Sequence, residues 1–94
     1  MHVKPNKTVV RGKVSAIRPE PDGWGAEVHL QVEQNESPDP EADFLRPAEG
    51  SILKVFTPEP DKIRVGQVVR AEACLNAGPT GGRAVLQSVE PVVG

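Results

Sequence analysis

The sequence predicts an all-β domain, a small closed barrel of five strands. Three observations predict it. Residues 8–18 form a run rich in β-branched side chains with Gly12 at its middle. Residues 24–34 alternate apolar and polar side chains without interruption. The 10 prolines and 9 glycines are scattered along all 94 residues, a punctuation that long helices do not survive. A chain of this length supports one core, so a single domain over 1–94 is expected, with no disulfide or metal needed to staple it.

Taken in order, residues 1–7 are a polar leader containing Pro5, expected to fray, as is the tail at 91–94. Residues 1–6 lack the apolar core of a signal peptide, and no apolar run approaches a membrane span. A cytoplasmic protein without a membrane partner is expected. In the first strand, Val10, Gly12, Val14 and Ala16 share the inward face, while Arg11, Lys13 and Ser15 share the outward one. Gly12 lets that strand bend or bulge, and a bent first strand can pair on both sides and begin a barrel.

Residues 19–23, PEPDG, are a turn in which the prolines fix φ and Asp22-Gly23 supplies the positive-φ position of a hairpin. The second strand, 24–34, turns Trp24, Ala26, Val28, Leu30 and Val32 inward and Gly25, Glu27, His29, Gln31 and Glu33 outward. Residues 35–50 make a long acidic loop. Asp39 as a cap and Pro40 at the first helical position predict a short helical turn at 40–45, with Phe44 and Leu45 covering one end of the barrel.

A core rejects an unpaired lysine, so the third strand, 51–57, places Leu53 and Val55 inward and Ile52, Lys54 and Phe56 outward. The fourth, 67–75, places Val69, Ala71, Ala73 and Leu75 inward and Val68, Arg70, Glu72 and Cys74 outward. Residues 76–82 read as a flexible hairpin tip. The fifth strand, 83–89, is divided in phase: Val85 and Val89 argue for one face, Ala84 and Leu86 for the other.

The words VRGKV at 10–14 and IRVGQVV at 63–69, together with a one-two-three meander and a closing hairpin, resemble the oligonucleotide/oligosaccharide-binding (OB) fold, a five-stranded Greek-key barrel. The likeness covers residues 8–89. It departs from the family between strands three and four, where the usual helix finds no room in the proline-rich residues 58–66. The resemblance implies a site on the face of strands two and three, between the loops joining strands one to two and four to five. Single-stranded nucleic acid or oligosaccharide is the ligand class it implies.

The residues that bear on such a site are Arg11 and Lys13 on the first strand, Lys54 and Phe56 on the third, and Arg83 beside the glycine-rich tip. Cations track phosphates, and an exposed ring gives a base a surface to stack on. Trp24 is a further stacking candidate, although its phase with Val28 and Leu30 places it in the core or at the barrel mouth. Two plainer readings compete: Glu27 and Glu33 pair across the strands with Arg11 and Lys13, and Phe56 packs over the turn at 58–60.

With 11 cationic residues against 13 acidic ones the net charge is −2, which excludes a globally basic duplex-gripping protein and confines any polyanion site to a local patch. Cys74 is the single cysteine, and His2 and His29 have no second histidine in register. No disulfide, metal, cofactor or acid–base centre is expected, and no enzyme. The expected function is a non-enzymatic module binding single-stranded nucleic acid across strands one to three. The alternative is a protein partner docked by the acidic residues 36–49 or by a strand edge. Small-carbohydrate binding in the same groove is a third reading.

Overall fold

A computed structural model of the chain describes residues 6–78 and 81–92. Its five strands are β1 (Thr8–Pro19), β2 (Ala26–Asn35), β3 (Ile52–Thr57), β4 (Val68–Gly78) and β5 (Gly81–Pro91). They close into one barrel in the order β1-β2-β3-β5-β4, with β4 returning to pair with β1. All neighbours are antiparallel except β3 and β5, which run parallel and, among the described residues, share one residue pair, Phe56 with Val85. Among the described residues no helix is long and apolar enough to cross a membrane.

β1 can take partners on both sides because it coils, and Gly12 is where it does so. A register shift against β2 falls between Arg11 and Gly12, and a Cβ placed on Gly12 would lie 2.6 Å from the carbonyl oxygen of Gln31. Only a residue without a side chain admits the neighbouring backbone that closely. Val10 and Val14 are fully buried, as their phase requires.

A second shift between Val14 and Ala16 corrects the expected face of Ala16. The extra residue at Ser15 moves Ala16 opposite the outward-facing His29, and Ile17 takes its place against the core. The same slip carries Arg18 to the outer face, opposite Glu27.

β2 keeps its alternation: Ala26, Val28, Leu30 and Val32 are all buried. In β3, Val55 is buried and Leu53 packs against the core, while Ile52 and Lys54 are exposed. β4 buries Val69, Ala71 and Ala73. The divided phase of the fifth strand has a single cause, a bulge in β5. Glu72 pairs with Ser88 but Ala73 pairs with Leu86, so Gln87 is the extra residue, and Ala84 and Leu86 before it and Val89 after it all reach the core. Each fully buried Val or Leu, such as Val28 or Leu30, contributes about 1.5–3 kcal/mol.

No helix forms at 40–45, and the helical turn expected there is cut short. Asp39 behaves as a cap, its carboxylate accepting the Glu41 amide at 3.0 Å, and two overlapping turns follow, Ala42 N–H to the Asp39 carbonyl at 3.1 Å and Asp43 N–H to the Pro40 carbonyl at 3.4 Å, before Arg46 adopts a φ of +43°. Leu45 packs on the core, whereas Phe44 faces solvent. A 3₁₀ turn, Pro60–Lys62, lies between β3 and β4, the most that so short and proline-rich a connection holds, and it delivers Ile63 into the core.

What anchors the long loop is polar. Asp43, 5% exposed, accepts hydrogen bonds from Thr8 Oγ1 at 2.6 Å, Asn35 Nδ2 at 2.7 Å and the Arg46 amide at 2.9 Å. Burial alone would push the Asp43 carboxyl up; the hydrogen bonds, that from Thr8 foremost, outweigh it and hold the group below its ordinary value. The loop also covers Val9, whose carbonyl accepts the Glu36 amide at 2.8 Å. That is why both Val9 and Val10 are buried. Of the two ends expected to fray, residues 1–5 and 93–94 lie outside the described residues. Lys7 donates its amide to the Ala42 carbonyl at 2.8 Å, and Val92 its amide to Val68 at 2.9 Å.

Candidate functional site

The outer face of β1, β2 and β3 is where the sequence placed its candidates, and the register brings them into rows. Arg18, Glu27 and Phe56 form one row; Ala16, His29 and Lys54 the next; Lys13, Gln31 and Ile52 the third. The acids of the central strand are engaged. Glu33 meets Arg11 Nε at 3.5 Å, and Glu27 accepts a hydrogen bond from His29 Nε2 at 2.8 Å. Arg11 is thereby spoken for by the cross-strand pairing expected of it. Lys13, Arg18 and Lys54 are exposed and make no ion pair among the described residues. Local charge on this face therefore runs against the acidic balance of the whole chain.

At one end of the face the loop between β1 and β2 folds over. Trp24 does not join the alternation of β2, because Gly23 and Gly25 on either side of it both have positive φ, +79° and +75°. The loop turns its indole outward instead, to 63% exposure, with the Trp24 amide held by Asp22 Oδ1 at 2.9 Å. Trp24 sits at the barrel mouth, not in the core.

Beneath it lies Phe56, on the outward phase as expected but only 9% exposed. The two ring centroids are 5.3 Å apart at an interplanar angle of 44°, a tilted contact favoured by the quadrupoles of the rings. The guanidinium of Arg83, from the start of β5, covers Phe56 at 4.5 Å from its centroid and pairs with Glu20 of the β1–β2 loop. Gly25 makes room for the ring: a Cβ there would come within 2.6 Å of Phe56 Cε2.

Between the β1–β2 loop and the β4–β5 hairpin these side chains line a groove of about 500 Å³, with Glu20, Asp22 and Trp24 on one bank, Phe56 on the floor and Asn76 and Arg83 on the other. The groove is open, aromatic at its centre and mixed in charge at its rim. Lys54 lies outside the groove, two residues from Phe56 on the same face of β3.

Five of the six side chains singled out from the sequence thus gather at or near one surface: Lys13, Lys54, Phe56, Arg83 and Trp24. Arg11 is drawn off to Glu33. Two contributors escaped sequence reasoning. Arg18 reaches the face only through the bulge at Ser15, and Glu20 is identified only by its contact with a residue 63 positions away. The glycine-rich hairpin tip includes residues 79–80, which lie outside the described residues; its flanks pair Gly78 with Gly81. No group of three or more His, Cys, Asp or Glu among the described residues is placed to hold a metal ion. Compared with protein-family models, with curated proteins and with solved structures, the chain finds no match.

Proposed function

We propose that this chain is an OB-like barrel that binds single-stranded nucleic acid without catalysing a reaction. The observation that carries the reading is Trp24: a large ring exposed at the mouth of a groove, on the end of a face that holds three cations, Lys13, Arg18 and Lys54, with no ion pair among the described residues. Bases stack on the Trp24 indole at roughly 1–3 kcal/mol each, whatever their identity, and the cations take the phosphates. The strand order and the placement of the groove between the β1–β2 and β4–β5 connections support the OB likeness.

The test is fluorescence anisotropy with a labelled mixed-sequence single-stranded oligonucleotide at low salt. Three cations on a single strand give a slope of about −2 for log K against log salt. Trp24→Ala and Lys54→Glu each weaken binding. A flat titration at low salt refutes the reading.

A second reading, docking of a protein strand, is favoured by one observation: on its side facing away from β2, β3 pairs only at Phe56 among the described residues, and Ile52 on that strand is 48% exposed. Under that reading Ile52→Lys abolishes recovery of a stoichiometric companion from lysate, and the oligonucleotide titration stays flat. The acidic loop supports docking less, since Glu36 is bonded to Arg70 and Asp43 is buried.

A further inference from the structure

Phe56 lies where a second base would stack after Trp24, and it is covered by the protein's own side chain. The Arg83 guanidinium rests over the ring at 4.5 Å, and one of its nitrogens donates to Glu20 Oε1. Glu20 belongs to the β1–β2 loop and Arg83 to β5, so this one side chain ties together the two segments that flank the groove. A guanidinium is flat, delocalised and weakly hydrated, which lets it occupy the face of a ring much as a nucleobase does.

We propose that Arg83 is a built-in stand-in for the ligand, held in place by Glu20. An incoming strand draws the guanidinium from the Glu20 carboxylate to a phosphate, and the departure of Arg83 bares Phe56 beside Trp24 for a second base. Arg83 is then a ligand contact, and Glu20 an autoinhibitory one. This rests on the nucleic-acid reading above and adds to it a competition inside the free protein.

The expected effect is modest because the pair is exposed. Exposed ion pairs are weak enough that removing the competitor tightens binding between about 1.5- and fivefold. Glu20→Gln leaves the turn intact, since the turn is held by backbone groups: the Glu20 amide donates to Gly25 at 3.2 Å, and the Gly23 amide to the Glu20 carbonyl at 2.9 Å. Asp22→Asn is the control for simple loss of negative charge in the same loop: Asp22 lines the groove without pairing with Arg83, and the asparagine keeps the Oδ1 that accepts the Trp24 amide at 2.9 Å.

The experiment is a double-mutant cycle read by anisotropy with the oligonucleotide, joined to proton NMR of the ligand-free protein. Glu20→Gln tightens binding more than Asp22→Asn does, Arg83→Ala weakens it, and in the Arg83→Ala background Glu20→Gln has no further effect. In the free protein the Arg83 methylene protons are shifted upfield by the Phe56 ring, and the shift disappears at saturation with oligonucleotide. If wild type binds but Glu20→Gln does not tighten binding, or tightens it equally without Arg83, the competition is overturned and the nucleic-acid reading stands. Absence of the upfield shift in the free protein overturns the competition on its own. If neither wild type nor Glu20→Gln binds, both are overturned.

Discussion

Replacing Asp43 with asparagine tests the account of what pins the long loop. The carboxylate accepts from Thr8 Oγ1, Asn35 Nδ2 and the Arg46 amide. An asparagine must turn an amide nitrogen toward one of these donors. Turned toward Asn35 it meets another NH₂, and Asn35 cannot flip to oblige, because its Oδ1 already accepts from the Ser37 amide at 3.0 Å and the Ser37 hydroxyl at 2.6 Å. Turned the other way it faces the Arg46 N–H, and either way the charge is gone.

A hydrogen bond to a buried charged group contributes about 1.5–3 kcal/mol, so Asp43→Asn should lower the unfolding free energy by about 2–3 kcal/mol at pH 7. That is a large share of the 5–15 kcal/mol typical of a domain. The assay is urea denaturation followed by far-ultraviolet circular dichroism. Because the folded carboxyl lies below its ordinary value, its contribution is present in full above the unfolded value of about 3.9 and fades as pH falls through the lower folded value. The difference between wild type and variant should therefore be constant from pH 7 to 5 and shrink below pH 4. A loss under about 0.5 kcal/mol at pH 7, or a difference that does not change with acid, refutes the reasoning.

Three further outcomes follow from the geometry. Gly25→Ala combines a positive φ with a Cβ 2.6 Å from the Phe56 ring and 2.7 Å from the Thr57 carbonyl; a cost of at least about 1–2 kcal/mol should lower the thermal midpoint and shift Trp24 emission. Gly12→Ala meets backbone that has no rotamer to change, and differential scanning calorimetry should register about 1–3 kcal/mol of destabilisation. Arg11→Ala removes an exposed pair with Glu33 and should change urea stability by less than about 1 kcal/mol, which separates a surface pair from the buried Asp43 set.

Strands with one oily and one wet face were legible because the period-two signal of β2 and β4 is the cause of their placement: Val28, Leu30, Val69 and Ala71 are buried for the reason that predicts them. It failed wherever a local event reset the count. Ser15 in β1 and Gln87 in β5 each add one residue to a ladder, and nothing in a single strand announces that its partner will have one fewer. Trp24 left the core because two glycines beside it took left-handed backbone, a choice that composition permits but does not dictate. Of the candidate surface, the exposure of Lys13 and Lys54 could be read from phase alone. The covering of Phe56 and the pairing of Glu20 with Arg83 could not, since both depend on a turn and a hairpin meeting across the barrel end. Asp43 was hidden in an acidic run because its burial rests on Thr8, 35 positions earlier.

The single rung between β3 and β5 among the described residues divides the cylinder into two prefabricated parts, a meander of β1, β2 and β3 and a hairpin of β4 and β5, clasped firmly on one flank by the β1–β4 ladder and lightly on the other. Such a clasp should open first at its light side: in native-state hydrogen exchange, amides along the β3–β5 line should exchange ahead of those in the doubly paired half of β1. Phe56 is that rung. Whatever rearranges its ring is therefore felt along the weakest line of the molecule.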